Sequence, residues 1–454
     1  MDGRALSGSL LRRISLAQLP EARSRARDAE AEETAARIIA DVGDRGETAV
    51  REWAERLGEL APDAPLVIDR DGLEAALASL PRDERGILER ARDRVTAFAE
   101  AQRAALRDID VAVPGGRAGH TFVPVARAGC YAPGGRFPLP SSAIMTACAA
   151  KAAGVPSIWC AGPKPSRATL AAAALSGAEG FLAAGGAQGI AALALGAGVP
   201  PCDVVVGPGG RHAAAAKRLL VGVVGTEAPA GPSELLVIVE GSATGDSAEE
   251  SVAAETAAAD LLAQAEHDVA AVPAIVVVEA AREGAGFAAR FSGHLEAALV
   301  RRLAELPEPN RSTAAAALGN GWLMVARDAD EAKAAAERFA PEHLELLVGD
   351  PRAWAASVRN AGAVFLGPGS AEVFGDYGAG PNHCLPTGGA ARFAAGLSVI
   401  TFLRARTWLT MDHPGILATE AAALARIEGL EAHARAAELR SGVPRISEEQ
   451  LRLF

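Results

Sequence analysis

The sequence predicts an α/β protein made of two Rossmann-like parallel-sheet domains, with a helical N-terminal arm and an extended C-terminal tail. Three observations carry this. From Phe122 onward, short apolar runs alternate with Ala-rich stretches of helical periodicity. Gly-rich loops stand where a strand gives way to a helix, at Gly134-Gly135, Gly185-Gly186 and Gly207-Pro208-Gly209-Gly210. After Ser251 the alternation returns, which makes a second α/β unit. The chain has 454 residues, 50% of them hydrophobic, enough for more than one core.

Residues 1–28 read as a polar arm. Ala36, Ile39, Ala40, Val50, Trp53 and Leu57 fall at helical spacing around Gly43-Asp44-Arg45-Gly46, so two helices flank a turn. Helix continues over 71–107. Next come helices over 141–153, 166–176 and 212–220, with strands over 157–161, 180–184, 203–206 and 235–239. The second unit alternates a helix ending at Ala265, a strand over 274–278, a helix over 286–306, a strand over 321–325 and a helix over 329–339. Apolar runs over 344–348 and 362–366 follow. A Gly/Pro-rich loop, a short strand over 397–402 and a helix over 419–440 close the chain. The expected domains are an arm (1–28), a first α/β domain (29–121 with 234–381), a second, Rossmann-like one (122–233) and a tail (382–454).

A net charge of −11 without a basic patch argues against nucleic-acid and anionic-membrane partners. Cys130, Cys148, Cys160, Cys202 and Cys384 are scattered and lack CxxC spacing, as expected of reduced thiols. The opening residues are polar, and the longest apolar stretches are broken by Gly, Pro or charge. No membrane span is therefore expected, and a cytoplasmic protein is.

Chemistry concentrates around Gln264-Ala265-Glu266-His267-Asp268. Gln264 and His267 are three apart, so on a helix they share a face and can bind a metal together; the alternative is a solvated helix end. Pro341-Glu342-His343 places a carboxyl beside an imidazole at a rigid turn. That pair can activate water and take a hydroxyl proton, or be a turn with no chemistry. Asp376 is a hard oxygen ligand, and His383 a candidate substrate contact in the Gly-rich loop that follows; Glu428 and His433 lie near the chain end. Gln264, His267, Asp376 and His433 supply two imidazoles and two oxygen donors, a set that suits zinc. The Gly-rich loops can meet a nucleotide phosphate through backbone N–H groups or serve only as tight turns.

With these stretches in view, the chain resembles the histidinol dehydrogenase family along nearly its whole length. The resemblance rests on Tyr131-Ala132-Pro133-Gly134-Gly135, Gly185-Gly186-Ala187-Gln188, Gly207-Pro208-Gly209 and Ala230-Gly231-Pro232-Ser233-Glu234. It extends through Asp260 to Asp268, Ala340-Pro341-Glu342-His343-Leu344, Gly375-Asp376-Tyr377, Asn382 to Gly389, Glu428-Gly429-Leu430 and Ala432-His433. It implies an enzyme using zinc, one per subunit, and two NAD in turn to oxidise a small primary alcohol to a carboxylate. By position it implies zinc ligands at Gln264, His267, Asp376 and His433, and a catalytic pair at Glu342 and His343. It further implies substrate contacts at Ser233, His383 and Glu428, and NAD contacts at Tyr131 and Gln188. NAD would lie on the 122–233 domain and zinc on the other. An intertwined homodimer is implied, with each tail completing the partner's site.

Some positions depart from the biosynthetic pattern. Gly210 stands where Asn, an NAD contact, is usual; His212 replaces an aromatic, Leu195 a Tyr, and Glu227-Ala228 an Asp and a larger apolar residue. Arg136-Phe137-Pro138 resembles members similar to sulfopropanediol dehydrogenase, where a guanidinium beside the substrate can hold an anionic group; the alternative is a solvated Arg near the NAD phosphates. Two readings follow: oxidation of L-histidinol to L-histidine, favoured by Ser233, His383 and Glu428, or oxidation of another small polar or anionic alcohol. A binding protein on a dead fold is a third, disfavoured because every catalytic position is filled.

Overall fold

The apolar runs of the second half pair into one parallel sheet. Its order is Arg12–Arg13, Trp322–Ala326, Val272–Val278, Glu234–Glu240, His343–Leu347 and Ala363–Leu366. This is a computed structural model, and it describes residues 9–19, 28–134, 137–228, 231–241, 247–279 and 286–441. The central strands are apolar on both faces because helices cover both, as in parallel sheets generally. Leu235, Val237 and Val239 pack under helices Ser247–Ala265 and Phe287–Glu305, while Leu236 and Ile238 face helix Ala329–Phe339. The edge strand Arg12–Arg13 comes from the segment read as a polar arm; it lies beside Trp322 and Leu323.

A second sheet runs Val67–Ile68, Gly180–Leu182, Ser157–Ala161, Arg127–Tyr131 and Val204–Val206. All of its pairs are parallel except the first. Helices Ala29–Arg45, Glu47–Arg56, Gly186–Leu195 and Arg211–Leu219 close one side around Ile38, Val50, Ile190 and Leu193. Helices Arg70–Ala78, Arg82–Ala105, Pro140–Ala153 and Arg167–Ser176 pack on the other side. The helices of 29–105, grouped above with 234–381, therefore belong to this sheet. Their apolar stripes match its helices, and Val67–Ile68 ties them in through backbone bonds.

A third sheet is antiparallel, with strand Gly116–Pro124 between Leu403–Met411 and Ile109–Val113. It shifts the expected strand over 397–402: Val399–Phe402 is a 3-10 turn, and the strand begins at Leu403. The single helix expected over 419–440 is two, Gly415–Ile427 and Glu431–Glu438. Gly429 at φ 76° causes the break, in a left-handed conformation that side chains resist. Both helices leave apolar side chains uncovered: Ile427 is 81% exposed and Leu439 80%. No helix among the described residues is long and apolar enough to cross a membrane.

The loop that follows strand Val204–Val206 is held from behind. Glu227 accepts from the Gly207 N–H at 2.9 Å, Lys217 donates to the Gly207 carbonyl at 2.8 Å, and the two side chains bond each other. Both are buried. Removing one charge leaves the other stranded, which costs about 3–5 kcal/mol, whereas replacing both is close to neutral. Lys217→Met should lower unfolding stability by about that amount. The double change with Glu227→Met should recover most of it, as chemical denaturation of both variants would show.

Candidate active site

Helix Ser247–Ala265 delivers Gln264 into the protein interior. The residue is 1% exposed, and its Oε1 has no hydrogen-bond partner among the described residues. Buried amide oxygens are ordinarily bonded, so this one points to a ligand. His267 was expected on the same helical face, but the helix ends at Ala265. The turn carries on through the His267 N–H to the Gln264 carbonyl at 3.4 Å. That brings His267 Nε2 to 3.7 Å from Oδ2 of Asp376, the last residue of the short helix Glu372–Asp376. Donors sharing one tetrahedral zinc lie about 3.4 Å apart. His267 and Asp376 are spaced as two such donors. Among the described residues no three His, Cys, Asp or Glu side chains gather to hold a metal.

The acid–base pair is set by one residue's backbone. Ala340, buried and at φ 49°, ends helix Ala329–Phe339 and swings the chain through Pro341. Glu342 Oε2 then accepts from the Glu234 N–H at 3.0 Å, and His343 Nδ1 lies 3.1 Å from the Glu234 carbonyl. A carbonyl only accepts, so Nδ1 carries the proton and Nε2 keeps its lone pair. Gly362 must lack a side chain, because a Cβ would come within 2.5 Å of the Glu342 carbonyl.

His343 and Glu345 share the strand face of Leu347, which lies under helix Ser247–Ala265. There Glu345 lies near Asp260, one helical turn before Gln264, and neither Glu345 oxygen has a hydrogen-bond partner among the described residues. Burial and Asp260 push Glu345 up to about 9. Burial also drives Glu342 and Glu372 well above the usual carboxylate range, and holds His343 and His383 below the usual imidazole range.

His383 joins the group: its Nδ1–H donates to the Asp376 carbonyl at 3.2 Å, and its Nε2 lies 3.3 Å from Ser142 Oγ. Ser142 opens helix Pro140–Ala153, which follows strand Arg127–Tyr131. The site therefore lies between the carboxyl end of the five-stranded sheet and the amino end of the six-stranded one. Ser233 stands beside it, immediately before Glu234.

The remaining predicted residues are not gathered there. Tyr131 and Gln188 are buried beneath the Gly-rich loops; the Tyr131 hydroxyl accepts from the Gly186 N–H at 2.9 Å, and Gln188 Nε2 donates to Glu59 at 2.8 Å. Gly210 is exposed at the start of helix Arg211–Leu219, and a side chain there would meet nothing within 4 Å, which leaves room for a bound group. Arg136 lies outside the described residues. Glu428 and His433 are exposed on the tail helices, whose charged partners are one another: Arg426 bonds Glu431 and Glu438. Glu59, Lys217 and Glu372 carry no sequence signal, since each is a lone charged residue in an ordinary helical stretch or loop.

On this α/β fold His267 and Asp376 thus sit near the buried Glu342 and His343. Residues 21–441 match the family model described as histidinol dehydrogenase. Histidinol dehydrogenase of Bordetella parapertussis is 40% identical over 426 residues, 92% of each chain. That of Thermus thermophilus is 41% identical over 420 residues, 91% of this chain and 95% of its own. A "histidinol dehydrogenase homolog" of Ruegeria pomeroyi is 39% identical over 413 residues, 89% and 91%. The crystal structure of histidinol dehydrogenase from Elizabethkingia anophelis superposes with a TM-score of 0.83 at 26% identity, covering 95% of this chain and 98% of that one. The chain belongs to the histidinol dehydrogenase family, a family of oxidoreductases.

The Asp260–Glu345 contact makes a stability prediction. Folded Glu345 keeps a proton up to about pH 9, while in the unfolded chain it is lost near 4.5. The folded state binds more protons between those values, so this group's contribution to stability falls as pH rises through the window. Glu345→Gln, which removes the titrating carboxyl, should raise the melting temperature at pH 8 relative to the parent and less so at pH 5. Thermal unfolding at the two pH values measures it.

Proposed function

We propose that this protein oxidises L-histidinol through the aldehyde to L-histidine, passing two hydrides to two NAD in turn. The observation that carries the proposal is the closeness of His267 and Asp376 to the Glu342–His343 pair, beside a buried and unpartnered Gln264, in a chain of this family. His343, neutral and with a free Nε2, takes the alcohol proton as the first hydride leaves for the nicotinamide. Glu342 takes a proton from the water that attacks the aldehyde carbon. His343 passes its first proton to solvent, and the hydrate then loses the second hydride with His343 again accepting the hydroxyl proton.

Gln264, His267 and Asp376 would hold zinc, which when bound supplies a positive anchor for the substrate's nitrogen atoms. His433 is the fourth donor and Glu428 a substrate contact. Since the tail does not reach its own chain's site, both would come from a second copy in a homodimer. Ser233 and His383 line the substrate side. On the cofactor side, Gly210 leaves space at the helix start, while Tyr131 and Gln188 brace the neighbouring loop.

A second reading is oxidation of another small polar or anionic alcohol, of the sulfopropanediol type. The sequence Arg136-Phe137-Pro138 favours it. A substrate panel with purified, zinc-loaded protein separates the two, because the first reading requires turnover of L-histidinol.

Two NADH per L-histidinol are expected. Glu342→Gln should slow the aldehyde step far more than the alcohol step, so NADH falls toward one per alcohol and aldehyde can be trapped; an unchanged ratio would remove Glu342 from water activation. His343→Asn should lower kcat by about 10²–10⁴. His433→Ala should lose bound zinc as well as activity. Mixing the inactive His433→Ala and His343→Asn proteins should restore activity, because one site of each mixed dimer is then intact. No recovery on mixing would place the site within one chain.

A further inference from the structure

The proposal concerns Glu372 and rests on the reading of His343 as the base. Glu372 opens the short helix Glu372–Asp376 and is 0% exposed. Neither of its carboxyl oxygens has a hydrogen-bond partner among the described residues. Its Oε2 lies 3.5 Å from His343 Nδ1, on the side of the imidazole away from the free Nε2. The charged neighbours that act on it are carboxyls: Asp376, Glu342, Glu345 and Asp260. A buried carboxyl in such company is costly, and an apolar side chain of similar size would fill the space better. What the carboxyl alone can offer is an acceptor for His343 when that ring becomes positive.

We propose that Glu372 is a positioning residue for the base: it is the second acceptor, after the Glu234 carbonyl, for the His343 Nδ1–H, and it steadies the imidazolium formed during oxidation. In that step the substrate O–H bond breaks and its proton passes to His343 Nε2. The oxygen's electron pair forms the carbonyl as the C–H bond delivers hydride to the oxidised nicotinamide of NAD. The positive charge spreads over both ring nitrogens, and Nδ1 faces Glu234 and Glu372. Glu342, Asp376, His267 and His383 also face this ring, so the effect of Glu372 must be read against theirs.

The test compares Glu372→Leu and Glu372→Gln with the parent as full-length, zinc-loaded proteins, L-histidinol and NAD being the substrates. Glu372→Leu should lower kcat at least about tenfold with KM changed less than about threefold, with zinc content kept and melting temperature equal or higher. Glu372→Gln keeps an acceptor oxygen and should recover part of the loss. The acid limb of the kcat profile should move to lower pH in the Leu variant, because the imidazolium has lost an acceptor. A substrate-free arm follows the His343 ring nitrogens by ¹⁵N NMR titration: the ring should protonate at lower pH in Glu372→Leu than in the parent.

Unchanged kcat with an unmoved limb, or identical His343 titrations, would overturn the proposal. So would a loss of kcat that tracks lost zinc or lost melting temperature in both variants, which marks a structural role. If the parent fails to turn over L-histidinol, the functional reading fails, and the NMR arm still decides the placement of Glu372.

Discussion

The peptide of Glu234 is the constraint on which the site depends. Its N–H binds the Glu342 carboxyl and its carbonyl fixes the His343 tautomer, at 3.0 and 3.1 Å. Its side chain accepts from the Gly388 N–H at 3.2 Å, which ties down the loop beyond Asn382 and His383. One strand start therefore places Glu342, His343 and the loop after His383. This works because the parallel pairing of strands Glu234–Glu240 and His343–Leu347 sets His343 opposite Leu235. A slip of one residue would turn His343 toward helix Ala329–Phe339 and away from the metal-type donors.

The position of the site follows from which strand ends meet. In open parallel sheets, ligands bind beyond the carboxyl ends of the strands. The five-stranded sheet obeys, with its Gly-rich loops and the start of helix Pro140–Ala153 at that end. The six-stranded sheet contributes its amino end instead, since Glu234 and His343 begin their strands. The bond between Ser142 and His383 links the two units at this junction. A donor set from one sheet and loops suited to a cofactor from the other are thereby brought together without a dedicated linker.

Much of this was legible in the sequence. Alternating apolar runs marked the central strands within a residue or two, because those strands are buried on both faces and are flanked by Ala-rich helices. Gln264, Glu342, His343 and Asp376 were legible as a set only through resemblance, since spacing alone gives four unrelated short stretches. The antiparallel sheet was missed: its strand Ile109–Val113 is largely exposed and Gly116–Pro124 carries Gly, Arg and His, so no apolar alternation announces them. The helices of 29–105 were assigned to the other domain because amphipathicity says that a helix has a core-facing stripe, not which sheet it meets. Glu59, Lys217, Glu345 and Glu372 were invisible for a related reason. A buried charge looks like a surface charge until the fold surrounds it.

The tail is held in a fixed direction, and this bears on how a fourth metal donor can arrive. Strand Leu403–Met411 pairs along its whole length with Gly116–Pro124, so the chain leaves that sheet at a set point and is not free to fold back. The two helices beyond it are held to each other by the Arg426 bridges, with Glu428 and His433 on either side of the Gly429 break. Exposed bridges of this kind contribute little to stability, about 0–1 kcal/mol each. Ile416, Leu424, Ile427 and Leu439 remain uncovered, and a run of large apolar side chains on a short helical pair gains free energy only when it is packed. In the homodimer proposed above, burial of these side chains would supply the association energy that brings His433 to the site of the other copy.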